Sequence, residues 1–393
     1  MGILSGYRVL DFGRYIAGPY CSAILAEFGA DVIRIEKLGG SEDRWAMPVN
    51  DEGVGAAYMQ LNRNKRSMTL NPTSEDGREI VNRLVKTADV VVANLPPSGL
   101  IAMGLDYATL KEIRHDIILS TISAFGHGGP YSERVGFDAI AQVMSGATYM
   151  SGTPEQPVRS FSPVVDFGSA MMLAIGTLVA LMDREKSGEG QMVEGALLRT
   201  ALTYMNPWII EQALIEANRK PTMNRSQTAG PADILPTKDG WVLIQIVGRP
   251  LFERWAKMMN RADLLDDPRF LGDQDRGDNA EFLLEIARNH VKELTTSEAV
   301  SAYEAANLPA APIYSPQQVL EDPHVQAMGF MQPIEYPNIG KPVPVAGVPV
   351  NLSRTPGQIR NRAPLLGEHT DTILEELGYT QQEAAMFHQK RVV

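Results

Sequence analysis

A doubly wound α/β fold, followed in the chain by a smaller α+β domain, is the architecture this sequence predicts, and three observations predict it. Over residues 7–125, apolar strand-like runs alternate with helical stretches, the pattern of a parallel sheet with helices on both faces. Two of the runs, ADVVVANL (88–95) and DIILSTISAF (116–125), are continuous and rich in β-branched residues, as strands buried on both faces are. After a polar stretch, ANRKPTMNRSQTAG (217–230), the signal changes to Asp239-Gly240 between two strand-like runs, a hairpin cue.

The elements follow in order. YRVLDF (7–12) reads as a short strand, and residues 19–28 as a helix closed by Gly29. DVIRIEK (31–37) is a second strand. Residues 75–87 form a helix with Ile80, Val81, Leu84 and Val85 at helical spacing. A further helix at 107–114 precedes the strand at 116–125. The longest uncharged run, Phe167 to Met182, has 16 residues. A membrane span needs about 20 predominantly apolar residues, so this run is read as a buried core helix. Residues 191–216 read as a strand and then a long helix. Helices at 251–259, 279–293 and 296–306 belong to the smaller domain, and one around 370–378 ends the chain. The predicted organisation is a large Rossmann-like domain over 1–216, a linker over 217–230, the small domain over 231–328, and a return to the large domain over 329–393.

Composition excludes several function classes. The 393 residues carry 36 Lys plus Arg against 47 Asp plus Glu, a net charge of −11. That balance argues against nucleic-acid and anionic-membrane binding, which demand a basic surplus. It leaves room for a local basic patch holding one phosphorylated small molecule. The single cysteine, Cys21, excludes a disulfide framework and a Cys-based zinc site, and suits a reducing, cytoplasmic setting. The six histidines show no metal-ligand spacing, so no metal is expected.

Few side chains stand out as chemistry. The turn GRYIAG (13–18) follows the first strand but lacks G-x-G-x-x-G, so NAD or FAD binding is not expected, and Glu36 reads as a solvated strand end. Cys21 has no basic neighbour in sequence and reads as core. His127, on a Gly-rich loop, has no evident partner. Asp166 interrupts the apolar stretch SPVVDFGSAMMLAIGTLVALM (162–182). It reads either as a helix N-cap or as a nucleophile kept ionised by the helix dipole and free amides. Gly168 would clear access to it.

Seven ordered blocks carry a resemblance: VLDFGRYIAGP (9–19), FGADVIRIEK (28–37), LNRNKRSMTLN (61–71), ADVVVANL (88–95), GFDAIAQ (136–142), VDFGSAMMLAIGTLVALMDREKSGEGQMVE (165–194) and RAPLLGEHTDTILEELGY (362–379). Across its length the chain resembles the class III coenzyme A transferases of the CaiB/BaiF type, which include formyl-CoA transferases. The resemblance implies an interlocked homodimer and an enzyme that moves CoA between a donor acyl-CoA and an acceptor carboxylic acid. CoA is then a substrate, and no cofactor is tightly bound.

It places the nucleophile at Asp166, acting through an aspartyl anhydride and an aspartyl-CoA thioester, with backbone amides nearby stabilising the oxyanion. It assigns CoA contacts to Tyr15, Ile16, Ala17 and Lys37, to Leu70, Asn71 and Thr73, to Asn94, Leu95 and Met103, and to Ser123, Phe125 and Gly126. It puts Arg44 and Trp45 beside the acid. The chain departs from the family pattern at Pro96 and Ala102, where arginines are expected near the CoA phosphates, which leaves Lys37, Lys65 or Arg66 for that task. No shielding glycine-rich loop is evident around 224–250. The resembling α-methylacyl-CoA racemases use a histidine where this chain has Phe137, so racemisation is disfavoured. An intramolecular CoA shift or a non-catalytic acyl-CoA-binding protein are the other readings.

Overall fold

The apolar runs near the N-terminus become neighbouring parallel strands: β1 (Arg8–Asp11), β2 (Asp31–Glu36), β3 (Lys65–Thr69), β4 (Val90–Ala93), β5 (Ile118–Ser123) and β6 (Met192–Ala196). Their spatial order is β3-β2-β1-β4-β5-β6, all parallel. The structure is a computed structural model and describes residues 2–50 and 54–393. It divides into two units, one of Met1–Ser145, Ser160–Leu214 and Ala327–Val393, the other of Gly146–Arg159 and Ile215–Gln326. Residues 146–159, placed by the sequence in the large domain, thus group with the second unit, as do the linker residues 217–230.

Strand β3 is not foreseen in the sequence, because KRSMT opens with two cations. The structure gives each cation a use. Side chains alternate across a strand, so Lys65 points inward and Arg66 outward. Lys65 is buried, and its ammonium meets Asp11 Oδ2 at 2.8 Å, the Pro19 carbonyl at 2.7 Å and Asn62 Oδ1 at 2.9 Å. Three acceptors match its three donors. Burial still lowers its pKa to about 8. Arg66 pairs with Asp31 and Glu376. Asp11 also accepts from Ser22, from the Gly13 amide and from buried Arg34. Burial favours its acid form, but Lys65 and Arg34 outweigh that and hold it at about 2. This charged knot fixes the loop leaving β1.

One apolar cluster fills one face of the sheet around Leu10, Ile33, Leu84 and Val91, and the C-terminal Phe387, Val392 and Val393 join it. They are held by a helix, Gln381–Gln389, beyond the one expected near residue 370. The other face packs Val9, Val32 and Val92 against the helices Ala17–Glu27 and Val164–Ser187. Val164–Ser187 is only half a core helix. Leu173, Ala174, Ala180 and Leu181 are buried, while Met171, Met172, Ile175, Val179 and Met182 are exposed. The following helix, Leu197–Ile215, likewise exposes Trp208, Ile209, Ile210 and Leu214. A helix that is apolar all round needs cover on both sides.

In the second unit the Asp239-Gly240 cue forms the turn between antiparallel Ala232–Pro236 and Trp241–Gln245, with Thr237 donating to the Gly240 carbonyl at 2.9 Å. Ala310–Pro312 adds a third strand. Helices Arg249–Met258, Ala280–Val291 and Thr296–Ala305 close on a core of Phe252, Trp255, Leu283 and Tyr303.

Candidate active site

The strand order turns back between β1 and β4, and in such sheets ligands sit at that point, beyond the carboxyl ends of the strands. A cleft of about 320 Å³ lies there. Residues 14–17 after β1, 94–96 after β4 and 122–124 at the end of β5 form its wall, with Phe137 and Asp166. All belong to the first unit.

Asp166 is the third residue of the helix Val164–Ser187, whose N-cap, Pro163, makes no side-chain cap. The capping role expected of Asp166 is taken by Asp138. Its Oδ2 accepts from the amides of Val165 and Asp166 at 2.7 and 3.0 Å. Gln142 donates to the other Asp138 oxygen, while Gln142 Oε1 accepts from the Ser160 amide at 2.9 Å. The Val164 amide donates to the Ser162 carbonyl at 2.8 Å.

Every N–H that a helix start leaves without an intrahelical partner is therefore engaged. This corrects two expectations: Asp166 does not cap the helix, and the amides beside it are not an open oxyanion hole. A third falls with them. Burial first, and the charge of Asp138 second, push the Asp166 carboxyl up to about 7. At neutral pH it is divided between acid and carboxylate instead of fully ionised. It is 9% exposed and faces the cleft.

Gly168 has a packing reason instead of an access one. A Cβ there would lie 1.6 Å from the Tyr204 hydroxyl of the helix Leu197–Ile215. Ser169 donates to Thr200 at 2.8 Å and ties the same two helices. Gly168→Ala is expected to cost up to about 1 kcal/mol, because the tip of half-exposed Tyr204 has to shift while the helix gains an alanine. Adding Tyr204→Phe, which removes the first atom met, should recover part of it in a thermal melt. A melting temperature of Gly168→Ala that Tyr204→Phe does not raise would contradict the contact.

Asn94 holds the loop after β1 from both sides. Its Oδ1 accepts from the Arg14 amide at 2.5 Å and its Nδ2 donates to the Arg14 carbonyl at 2.7 Å. Tyr15 takes a left-handed conformation, φ 57°, uncommon for a side-chain-bearing residue. Its ring meets Phe137 edge-on with centroids 5.3 Å apart.

A second cleft of about 260 Å³ shares Arg14 and Leu95 with the first. Tyr15, Ile16, Ala17, Asn94, Leu95 and Ser123 line the first cleft with Asp166, and Lys37, Leu70, Thr73 and Met103 line the second. Three expected contacts line neither. Asn71 Oδ1 accepts from the Thr73 hydroxyl at 2.8 Å, Phe125 packs edge-on against Tyr131, and the Gly126 amide donates to Ser123 Oγ at 3.0 Å.

Arg44 is also turned away from both clefts. It is buried, bonded to Glu36 at 2.8 and 2.7 Å, and shares the Tyr58 hydroxyl and the Pro364 carbonyl. Its charge is spent on Glu36, which is itself 2% exposed and no solvated strand end. Trp45 is 56% exposed and lines neither cleft. Lys65 and Arg66, offered for phosphates, are committed to the carboxylates named above. Cys21 is fully buried, and burial pushes its thiol up to about 12, which makes it unreactive. His127 has its ring 3.7 Å from Glu194 and lies outside both clefts.

Arg14, Glu42, Arg134 and Asp138 are the residues the sequence reading passes over. Arg14 has a signal, a cation in the turn after the first strand, next to Tyr15. Asp138 sits inside GFDAIAQ, directly after Phe137. Nothing in the sequence marks Arg134, which lines the first cleft.

Comparison with known proteins gives a consistent result. The model of CoA-transferase family III matches residues 4–370. The succinyl-CoA–D-citramalate CoA-transferase of Chloroflexus aurantiacus is 33% identical over 99% of this chain and 98% of its own length. The succinate–glutarate CoA-transferase of Agrobacterium fabrum is 31% identical over 97% of each. A crystal structure of a CaiB/BaiF family protein from Brucella suis superposes with a TM-score of 0.83, at 30% identity over 96% of this chain and 99% of that one.

Proposed function

Since this chain belongs to CoA-transferase family III, we propose that it transfers CoA between two carboxylic acids through Asp166. The carrying observation is a carboxyl group at the sheet's switch point, with no other nucleophile among the described residues lining the cleft except Ser123 and Tyr15. The Asp166 carboxylate attacks the donor thioester carbonyl. The C–S bond breaks, CoA leaves as thiolate, and an aspartyl–acyl anhydride remains. The thiolate attacks the aspartyl carbonyl and releases the donor acid, leaving an aspartyl-CoA thioester. The acceptor carboxylate then displaces CoA to form a second anhydride, and the thiolate collects the new acyl group and frees Asp166. Each intermediate keeps the acyl activation, so water has to be kept out.

The nucleotide is assigned to the second cleft, where Lys37, Leu70, Thr73 and Met103 line the walls, and the thioester to the first. The relatives act on succinyl-CoA or succinate together with citramalate or glutarate, so a dicarboxylic acyl-CoA is the donor class we assign. A second acid function would meet Arg134, the cation in the Asp166 cleft beside Arg14. A racemising reaction is disfavoured, because Phe137 faces the cleft where a proton carrier would stand. The exposed apolar faces of Val164–Ser187 and Leu197–Ile215 support an interlocked homodimer, which sedimentation velocity at twice the chain mass would register and a monomer would refute. A single buried thiol suits the cytoplasm.

The test is to incubate the protein with a panel of acyl-CoAs, trap with hydroxylamine or borohydride, and locate the modified residue by mass spectrometry. Modification at Asp166 by dicarboxylic acyl-CoAs is expected. Modification elsewhere, or none with any acyl-CoA, would refute the reading.

A further inference from the structure

We propose that Glu42 is a built-in competitor for the phosphate groups of coenzyme A: in the free chain it holds Arg14 and Lys37, and it yields both cations to the nucleotide. The inference rests on the transferase reading above. A single oxygen, Glu42 Oε1, accepts from the Arg14 guanidinium at 2.6 Å and from the Lys37 ammonium at 2.7 Å. All three side chains line the second cleft, and Arg14 reaches the first as well. Arg14 and Lys37 are the cations among the described residues lining this cleft, in a chain of net charge −11. The neighbouring cations are spent: Arg34 on Asp11 and Asp43, Arg44 on Glu36, Arg63 on Glu27, Lys65 on Asp11.

The pair is poised to exchange partners. The side chains of Arg14, Lys37 and Glu42 are 47%, 61% and 35% exposed. Ion pairs that wet contribute little each, so giving them up costs little. A phosphate brings more charge and more acceptor oxygens than one carboxylate, and forms the stronger charge-assisted bonds. Partial burial favours the acid form of Glu42, but the bonds from Arg14 and Lys37 outweigh it and hold the group at about 2. It is therefore an anion at any working pH, and competition is permanent. Pro96 and Ala102 bring no charge of their own.

The experiment titrates the purified full chain calorimetrically, as wild type, Glu42→Gln, and Glu42→Gln with Arg14→Ala. The ligands are CoA, dephospho-CoA, which lacks the 3′-phosphate, and pantetheine, which has no phosphate. Glu42→Gln is expected to bind CoA about three- to tenfold more tightly at low ionic strength. The gain should shrink as salt is raised, vanish for pantetheine, and be erased by Arg14→Ala. A gain kept with dephospho-CoA assigns the competition to the pyrophosphate, and a gain lost with it assigns the competition to the 3′-phosphate. Unchanged or weaker CoA binding by Glu42→Gln, in a wild type that binds and transfers CoA, overturns the role of Glu42 alone. An equal gain for pantetheine overturns it too. A wild type that neither binds CoA nor forms an Asp166 adduct overturns the transferase reading itself.

Discussion

Asp166→Asn is expected to lose CoA transfer by at least about 10⁴-fold, the scale seen when a covalent nucleophile is removed, and at the same time to become more stable above pH 7. The second effect follows from the carboxyl being held at about 7. Between about pH 4 and 7 the folded chain keeps a proton on Asp166 that the unfolded chain has lost. The folded state thus binds more protons, and stability falls as pH rises through that interval. Above 7 the full cost of a buried charge is present, and an amide at 166 avoids it. At about 1.4 kcal/mol per pH unit, the gain for Asp166→Asn at pH 8 is on the order of 2–4 kcal/mol, read from melts at pH 5 and pH 8. Transfer by the wild type should rise with pH and level off above about 7, as the ionised nucleophile accumulates. A variant that still transfers CoA would contradict the role given to Asp166, and a wild type equally active at pH 5 and pH 8 would contradict its raised pKa.

Asp138 should be the next most sensitive position. Removing its carboxylate with Asp138→Ala strips the acceptor from the Val165 and Asp166 amides and the partner from Gln142. Loss of such a cap costs about 1–2 kcal/mol. A nucleophile that drifts by an ångström costs about 10²-fold in rate, so turnover should fall by one to two orders of magnitude. Asp138→Asn separates the two functions of the residue. It keeps an acceptor oxygen for the helix start but removes the like charge that helps raise Asp166. Turnover should be retained better than in Asp138→Ala, and the rising limb of the pH profile should move to lower pH. An unmoved limb would mean that the charge of Asp138 does not reach Asp166.

The strands that could be read from the sequence are those whose burial is written in apolar residues, such as VVVA at 90–93. Strand β3 was hidden because its inward residue is Lys65, and no periodicity shows that Asp11, fifty-four positions earlier, waits to neutralise it. The hairpin at 232–245 was legible because Asp-Gly is a local signal. The two strands Met331–Ile334 and Val343–Ala346 were not, since prolines at 333 and 344 mask their pattern.

The same division runs through the site. Asp166 was legible as an anomaly, a carboxylate in an apolar stretch. Its environment was not, because the groups that set it, Asp138 and Gln142, lie on another helix. Arg44 misled for the converse reason. A loop arginine looks available until the fold brings Glu36 and Tyr58 onto it.

Oxygen transfer to the enzyme tests the covalent route most directly. When an acceptor acid carrying ¹⁸O in its carboxylate displaces CoA from the aspartyl thioester, the bridging oxygen of the anhydride is labelled. That oxygen stays with Asp166 when thiolate removes the acyl group. After turnover with succinyl-CoA and the labelled acid, the peptide containing Asp166 should be heavier by ¹⁸O, while the same peptide from Glu42→Gln gains the label too and that from Asp166→Asn does not. New acyl-CoA formed by the wild type with no ¹⁸O in that peptide would show that the acids exchange CoA without Asp166 as the carrier.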